Sequence, residues 1–297
     1  MNVTPILTYT EYGDILGKNI DIMSDIKQVL QDHNFRFNKQ FGQNFITDTN
    51  LLQAMVKDSG IQSDDVVVEI GAGAGTLTRE IAKVAKRTVA FEIDRNLVPI
   101  LGQTLQGLDD KVEVVFKDVQ KVDEQELDAI LGGKDYKVVA NLPYYITTPI
   151  IMRFLERENK PKSITVMIQK EVGKRLTSTA DCGDYGVITL SIALEGKAKI
   201  MREVPRYMFT PQPNVDSCIV RIDLDDTYAD VDKKSVKKII KSAFAMRRKT
   251  LVNNLMSGLG LSRESVENAL TTLNIDIRAR GETLDVEQFI KLSELLG

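Results

Sequence analysis

Between Val66 and Ile168 the chain repeats one local pattern. Short runs rich in β-branched residues recur as VVVEI (66–70), TVAFEI (88–93), VEVVF (112–116), YKVVA (136–140) and SITVMI (163–168). VVVEI lacks the apolar–polar alternation of a half-exposed strand, which predicts burial on both faces. Helix-period segments fall between the runs, over about Thr76 to Ala85, Leu97 to Leu105 and Pro149 to Arg157. Strand and helix in regular alternation predict an α/β fold: a mostly parallel sheet with helices on both sides. VITLSIAL, AKIMREV and SCIVRIDL read as further strands, and the last two lack a long helix between them, which predicts antiparallel strands closing the sheet.

The flanks read differently. Asp21 to Asp32 carries apolar residues at helical spacing, and TNLLQAMVKDSG after Asp48 has a helix start and a glycine stop. From about Asp232 to the end, LVNNLMSGL, SRESVENALTTL and VEQFIKLSELL all carry helical periodicity. Asp225 to Asp232 is the expected linker. The predicted organisation is an α/β domain over 1–226 with an N-terminal extension, and a small all-α domain over 227–297.

Several classes are disfavoured by residue usage. The one histidine, His33, leaves no His-rich metal site or His-based catalysis to expect, so the metal expectation is none. Cys182 and Cys218 stand far apart and form no CxxC. No basic start precedes an apolar segment at the N-terminus, and no apolar run has the length of a membrane span, so a cytoplasmic protein without membrane contact is expected. The net charge of −3 argues weakly against nucleic-acid binding, but its distribution matters more. KKSVKKIIKSAFAMRRK (233–249) holds eight basic residues and no acid, and reads as one amphipathic helix. A solvated helix face is the ordinary meaning. Unopposed cations in an acidic protein favour phosphate contact instead, through residues such as Lys237, Lys241, Arg247, Arg248 and Lys249.

The chemistry-bearing stretches sit at strand ends. VEIGAGAGTLT (68–78) joins a strand to a helix through Gly71, Gly73 and Gly75, which let the backbone turn sharply and approach a ligand. A dinucleotide fingerprint would need glycine at 76, where this chain has Thr76. Taken alone, the turn is a tight strand-to-helix connection. Glu92, about 20 residues on, is placed to bind both hydroxyls of a ribose, or else forms a surface pair with Asp94. Asp118 follows the third strand and is either a turn residue or an acceptor for an adenine amine. The fourth strand enters NLPYYITTP (141–149), a stiff loop. There the Asn141 side-chain oxygen and the Leu142 carbonyl can accept from one NH2 group while Tyr144 stacks on its base. Such acceptors favour the cation that forms as a methyl group arrives at nitrogen. In FTPQPNVDS (209–217), Phe209 is either a second wall of that base clamp or a core residue at a strand edge.

These motifs, in this order, carry a resemblance. FGQNF, VEIGAGAGTLT, FEIDRNL, KDV, NLPYYITTP, MIQKEVGKRL, DYGVITLSI, FTPQPNVDS and FAMRRKTLVNNL make the chain from about Phe37 onward similar to the KsgA-type ribosomal RNA adenine N6,N6-dimethyltransferases. The resemblance implies a class I S-adenosylmethionine-dependent methyltransferase fold, Rossmann-like with seven strands. For the cofactor, S-adenosylmethionine, it implies contacts from Asn44 and Ile46, from Gly71 at the amino-acid end, from Glu92 at the ribose and from Asp118 at the adenine amine, with Gly73, Ile93 and Val119 also in the cofactor site. Asn141 would stand near the methyl donor and the target amine, with Tyr144 and Phe209 on either side of a flipped adenine. Members dimethylate two adjacent adenosines near the 3′ end of 16S rRNA, so the implied partner is the 30S subunit or its precursor, met by a monomer. A 23S rRNA adenine dimethyltransferase and a non-catalytic 30S assembly factor are the alternatives. A nicotinamide oxidoreductase ranks behind them because of Thr76. The chain departs from the family at Tyr145, where many members have Asn, and at Asn38-Lys39-Gln40, which is less basic than the usual pattern.

Overall fold

The computed structural model describes residues 26–35, 44–46 and 48–297. The expected helix start near Asp21, the Asn38-Lys39-Gln40 stretch and the first three residues of FGQNF lie outside them. The chain divides into two compact units, Met1–Lys170 with Ile200–Arg221, and Glu171–Lys199 with Ile222–Gly297.

The strands are β1 (Phe45–Ile46), β2 (Val66–Ile70), β3 (Arg87–Phe91), β4 (Val112–Val115), β5 (Tyr136–Asn141), β6 (Ser163–Gln169), β7 (Gly196–Val204), β8 (Phe209–Thr210) and β9 (Ser217–Leu224). Seven of them form one sheet in the order β4-β3-β2-β5-β6-β9-β7, and β1 pairs antiparallel with β8 in a separate ribbon. The pairings β2–β3, β3–β4, β2–β5 and β5–β6 are all parallel, with Val68 opposite both Val89 and Val138. Every residue of β2 is buried, as its unbroken β-branched run predicts, whereas three of the four in the edge strand β4 are only half-buried. Burying one such valine stabilises the fold by roughly 1.5–3 kcal/mol.

Strand order reverses direction at β2, with β3 on one side and β5 on the other. In an open parallel sheet this reversal opens a crevice beyond the carboxyl ends of the strands. Helices α1 (Ile26–Asp32), α2 (Thr49–Asp58), α3 (Thr76–Val84), α4 (Val98–Thr104), α5 (Glu124–Leu131) and α6 (Thr147–Leu155) belong to this unit. Asp48 caps α2 by accepting from the Leu51 amide at 2.9 Å. α3 buries Leu77 and Ile81 in a cluster that includes Leu52, Val67 and Val139, so the helix after the glycine turn is fixed to the sheet.

The second unit carries α7 (Lys170–Leu176), whose first residue belongs to the other unit, then α8 (Val187–Ala193), α9 (Lys233–Ala243), α10 (Leu251–Leu259), α11 (Arg263–Thr272) and α12 (Val286–Leu296). VITLSIAL, expected as a strand from its β-branched content, is the helix α8. Leu190 and Leu194, four apart, join the helical core with Val236, Ile240 and Phe289, and the Ser191 hydroxyl donates to the Val187 carbonyl at 2.8 Å. Tertiary burial has overridden local propensity there. By compactness Glu171–Lys199 groups with the helical unit, although residues 196–199 begin strand β7 of the sheet. The expected linker is also not a free tether, because Tyr228 and Val231 pack on the helical core.

The expected single basic helix over 233–249 ends at Ala243. Asn254 Nδ2 donates to the carbonyls of Ala243 (2.6 Å) and Met246 (3.1 Å), which closes a turn at the helix end. Ser262 caps α11, and Asp285 with Gln288 forms a capping box on α12. Among the described residues no helix is long and apolar enough to cross a membrane.

Candidate active site

The carboxyl ends of β2, β3 and β5 open on a cavity of about 220 Å³. Its floor is the glycine turn after β2. Gly71 has φ +79° and Gly73 φ +56°, a region that side-chain-bearing residues rarely adopt. A Cβ on Gly71 would meet no atom within 4 Å, so the backbone there borders open space, while one on Gly73 would stand 3.1 Å from Phe45 Cε1. The Gly71 and Ala72 amides donate to the Phe91 carbonyl at 2.8 and 3.1 Å, tying the turn to the end of β3.

Glu92 follows at that strand end and closes the turn from the other side. Its Oε2 accepts from the Gly73 amide at 2.8 Å, and its Oε1 accepts from the amides of Ile93 and Asp94, both at 2.8 Å. Burial raises its pKa above the usual carboxylate value, and these amide bonds oppose the rise. It is 6% exposed, which rules out a surface pair with Asp94. A carboxylate offers about four acceptor positions, so Oε2 keeps capacity for a hydroxyl. Ile93 lines the cavity beside it and is 44% exposed. Asp118 lines the next wall with Val119 and caps a 3-10 turn, accepting from the Gln120 amide at 3.0 Å.

The remaining wall is the loop after β5. Asn141 Nδ2 donates to the Asn44 carbonyl at 3.0 Å. That bond fixes the amide orientation and leaves Oδ1 as an acceptor. The Leu142 amide donates to the Met167 carbonyl at 3.2 Å, fastening the loop to β6. Tyr144 is half-buried and lines the cavity, and its hydroxyl shares a 2.8 Å hydrogen bond with Ser217 Oγ at the start of β9. Asn44 and Ile46 line the same space.

Phe209 is not brought to the cavity. It is 4% exposed, pairs with Ile46 across the β1–β8 ribbon and sits in the cluster with Leu52, Met55 and Ile219. Of its two readings, the core residue at a strand edge is the one the structure shows. Glu69, which sequence reasoning passed over, does line the cavity. It is 1% exposed, its Oε2 has no hydrogen-bond partner, and burial pushes its pKa up to about 8. The nearby Thr78 hydroxyl offsets only part of that rise, without closing a hydrogen bond of standard geometry. The visible signal was one acid in an otherwise apolar strand.

The basic stretch belongs to the second unit. Lys237 and Lys233 are not unopposed: they hold the buried Glu195 at 2.9 and 2.8 Å. Lys241 is exposed on α9, in line with Lys234 and Lys238, and Arg247, Arg248 and Lys249 are exposed in the turn that follows. Arg247 also donates to the Gly183 carbonyl at 3.1 Å.

Fold and cavity together define a class I S-adenosylmethionine-dependent methyltransferase. The described residues fit that cofactor on their own chemistry. Glu69 Oε2 is an orphaned buried acceptor suited to an ammonium group, Gly71 leaves a cradle that any side chain would fill, and Glu92 retains an acceptor for a ribose hydroxyl. The family described as ribosomal RNA adenine dimethylase matches residues 34–297, and the chain belongs to it. It is 45% identical over 276 residues to the ribosomal RNA small subunit methyltransferase A of Clostridioides difficile (strain 630), covering 91% of this chain and 94% of that one. The enzyme of the same name from Geobacillus thermodenitrificans is 42% identical, with 95% and 98% covered. Among solved structures, the 23S rRNA methyltransferase ErmE aligns with a TM-score of 0.66 at 26% identity over 85% of this chain and 99% of that one. A dimethyladenosine transferase from Plasmodium falciparum aligns with a TM-score of 0.69 at 23% identity over 84% and 95%. The protein is thus an rRNA adenine dimethyltransferase whose cofactor is S-adenosylmethionine.

Proposed function

We propose that this enzyme dimethylates N6 of two adjacent adenosines near the 3′ end of 16S rRNA, acting as a cytoplasmic monomer on the 30S subunit or its precursor, and so takes part in small-subunit biogenesis. Full-length likeness to small subunit methyltransferases A supports the choice of RNA. The observation that carries the chemistry is the preset Asn141 amide, whose nitrogen is spent on Asn44 and whose oxygen is left to accept.

In this reading Asn141 Oδ1 and the Leu142 carbonyl receive the two N–H groups of the adenine amine. They hold the nitrogen lone pair toward the cofactor site and stabilise the positive charge that develops on nitrogen. The bound cofactor supplies an electrophilic methyl group on a sulfonium. No strong base is required, because the proton leaves after transfer. Tyr144 presents a ring already fixed by Ser217, against which the extruded purine stacks. Glu69 and Gly71 would hold the amino-acid end of the cofactor, Glu92 with Gly73 and Ile93 the ribose, and Asp118 with Val119 the adenine, with Asn44 and Ile46 on the facing wall. Lys241, Arg247, Arg248 and Lys249 of the helical region 227–297 would meet rRNA phosphates. Lys237, already engaged by Glu195, contributes there through structure.

Labelled methyl transfer to 30S and 50S subunits lacking the modification tests this reading. Transfer to 30S that disappears in Asn141→Ala, with donor binding retained, is the expected result. Transfer to 50S alone would overturn the choice of RNA, and wild-type rates in Asn141→Ala would overturn the mechanism.

A further inference from the structure

Tyr145 is the residue of the site left without a task. It lines the cavity, yet it is 60% exposed, among the most exposed large apolar side chains of the described residues. Among those residues no hydrogen bond or ring contact holds it, in contrast to Tyr144, whose hydroxyl is tied to Ser217. Both tyrosines lie in one 3-10 turn, Tyr144–Ile146, entered from Pro143. Successive side chains of a 3-10 turn diverge by about 120°. The two rings therefore cannot share one base: when Tyr144 faces a purine inside the cavity, Tyr145 faces outward at the mouth. Ile93, on the wall that follows β3, is a second exposed cavity residue, at 44%. Solvating the Tyr145 ring is unfavourable, and an apolar face brought by a ligand removes that cost.

Extrusion of a base supplies such a face. When one nucleotide leaves the stack, its neighbour loses a stacking partner. We infer that Tyr145 is a substrate-positioning residue whose ring stacks on the nucleotide adjoining the extruded adenosine, so that the site grips a dinucleotide step. The inference rests on the proposed rRNA adenine substrate and extends it to the flanking base. An aromatic ring can serve either neighbour of a two-adenosine target, because every base has a π-face.

The test compares Tyr145→Ala with Tyr145→Phe and Tyr145→Trp on unmethylated 30S subunits. Tyr145→Ala should raise KM for the RNA roughly 5- to 150-fold, the loss expected of one base–aromatic stack. Its cofactor affinity should stay at the wild-type value, and both aromatic variants should restore KM. Beside turnover, binding of a single-stranded RNA oligonucleotide with 2-aminopurine flanking one adenosine reads the contact directly. Fluorescence should be quenched by wild type and by Tyr145→Phe, but not by Tyr145→Ala. An unchanged KM and equal quenching in Tyr145→Ala would overturn the inference. So would a defect confined to kcat or to cofactor affinity. A wild-type enzyme that modifies 50S subunits alone would sink the 30S assignment, while oligonucleotide quenching would still decide the role of Tyr145.

Discussion

Glu69→Gln gives the sharpest test of the buried site, because its sign depends on pH. In the folded protein Glu69 holds its proton up to about pH 8, against 4.5 for the free side chain. Desolvation is the main cause, and the charge of Glu92 adds to it. Between those two values the folded chain keeps a proton that the unfolded chain has released. Stability must therefore fall as pH rises through that window, by about 1.4 kcal/mol per pH unit. Below about 4.5 the penalty is absent, and above about 8 it is constant. From pH 5 to pH 7 the wild type should lose on the order of 3 kcal/mol through this one group. The amide introduced by Glu69→Gln has no proton to lose. Its burial costs about 1–3 kcal/mol, but that cost does not vary with pH. Urea unfolding at pH 5, 6, 7 and 8 should thus show the variant gaining steadily on the wild type up to about pH 8, whatever their order at pH 5. Parallel pH profiles for the two proteins would refute the claim that Glu69 is buried and uncompensated. Occupation by a cofactor ammonium should flatten the wild-type slope, read as a smaller difference between pH 6 and 8 in saturating S-adenosylhomocysteine.

Other outcomes follow from the same geometry. Asn141→Ala should lower kcat roughly 100- to 1000-fold, the usual cost of one group that stabilises developing charge, while isothermal titration shows donor binding intact. Gly73→Ala must place a side chain at φ +56° and 3.1 Å from Phe45. It should cost about 1–2 kcal/mol in chemical unfolding and weaken donor binding in the same titration. Lys241→Ala and Arg248→Ala should leave the unfolding midpoint near wild type but reduce the salt dependence of 30S binding, each by close to one unit in the log–log slope. Lys237→Ala should do the reverse, lowering the midpoint because the buried Glu195 loses the counter-charge held at 2.9 Å.

Sequence alone showed the sheet because its strands announce themselves by composition. VVVEI is buried on both faces, and only a covered parallel strand accepts that pattern. The glycine turn, Glu92 and NLPYY were also legible, since each needs a special backbone or a special side chain at a strand end. What escaped was whatever depends on distant partners. VITLSIAL looks like a strand until Leu190 and Leu194 meet the core they share with Val236 and Phe289. The basic run seemed unopposed because Glu195, which neutralises Lys233 and Lys237, lies some forty residues earlier in the chain. Glu69 is one acid within strand β2, and burial without a partner for Oε2 is what singles it out.

The fate of Phe209 shows how the core and the chemistry are joined. Read from sequence as either one wall of a clamp or a core residue, it stands in β8 of the β1–β8 ribbon, buried and paired with Ile46. The Ile46 carbonyl receives Thr76 Oγ1 at 3.4 Å, and Ile46 shares a buried cluster with Phe209, Leu52 and Leu77. Two residues before Ile46 stands Asn44, whose carbonyl receives Asn141 Nδ2. The amide proposed to meet the target amine is thus oriented by a backbone group two residues from the Ile46–Phe209 pair. Orientation to within a few tenths of an ångström is what charge stabilisation of this kind demands. A surface loop alone would hold Asn44 poorly. Anchoring it through a two-residue strand packed on α2 and α3 ties the Asn141 amide to the buried core of the unit.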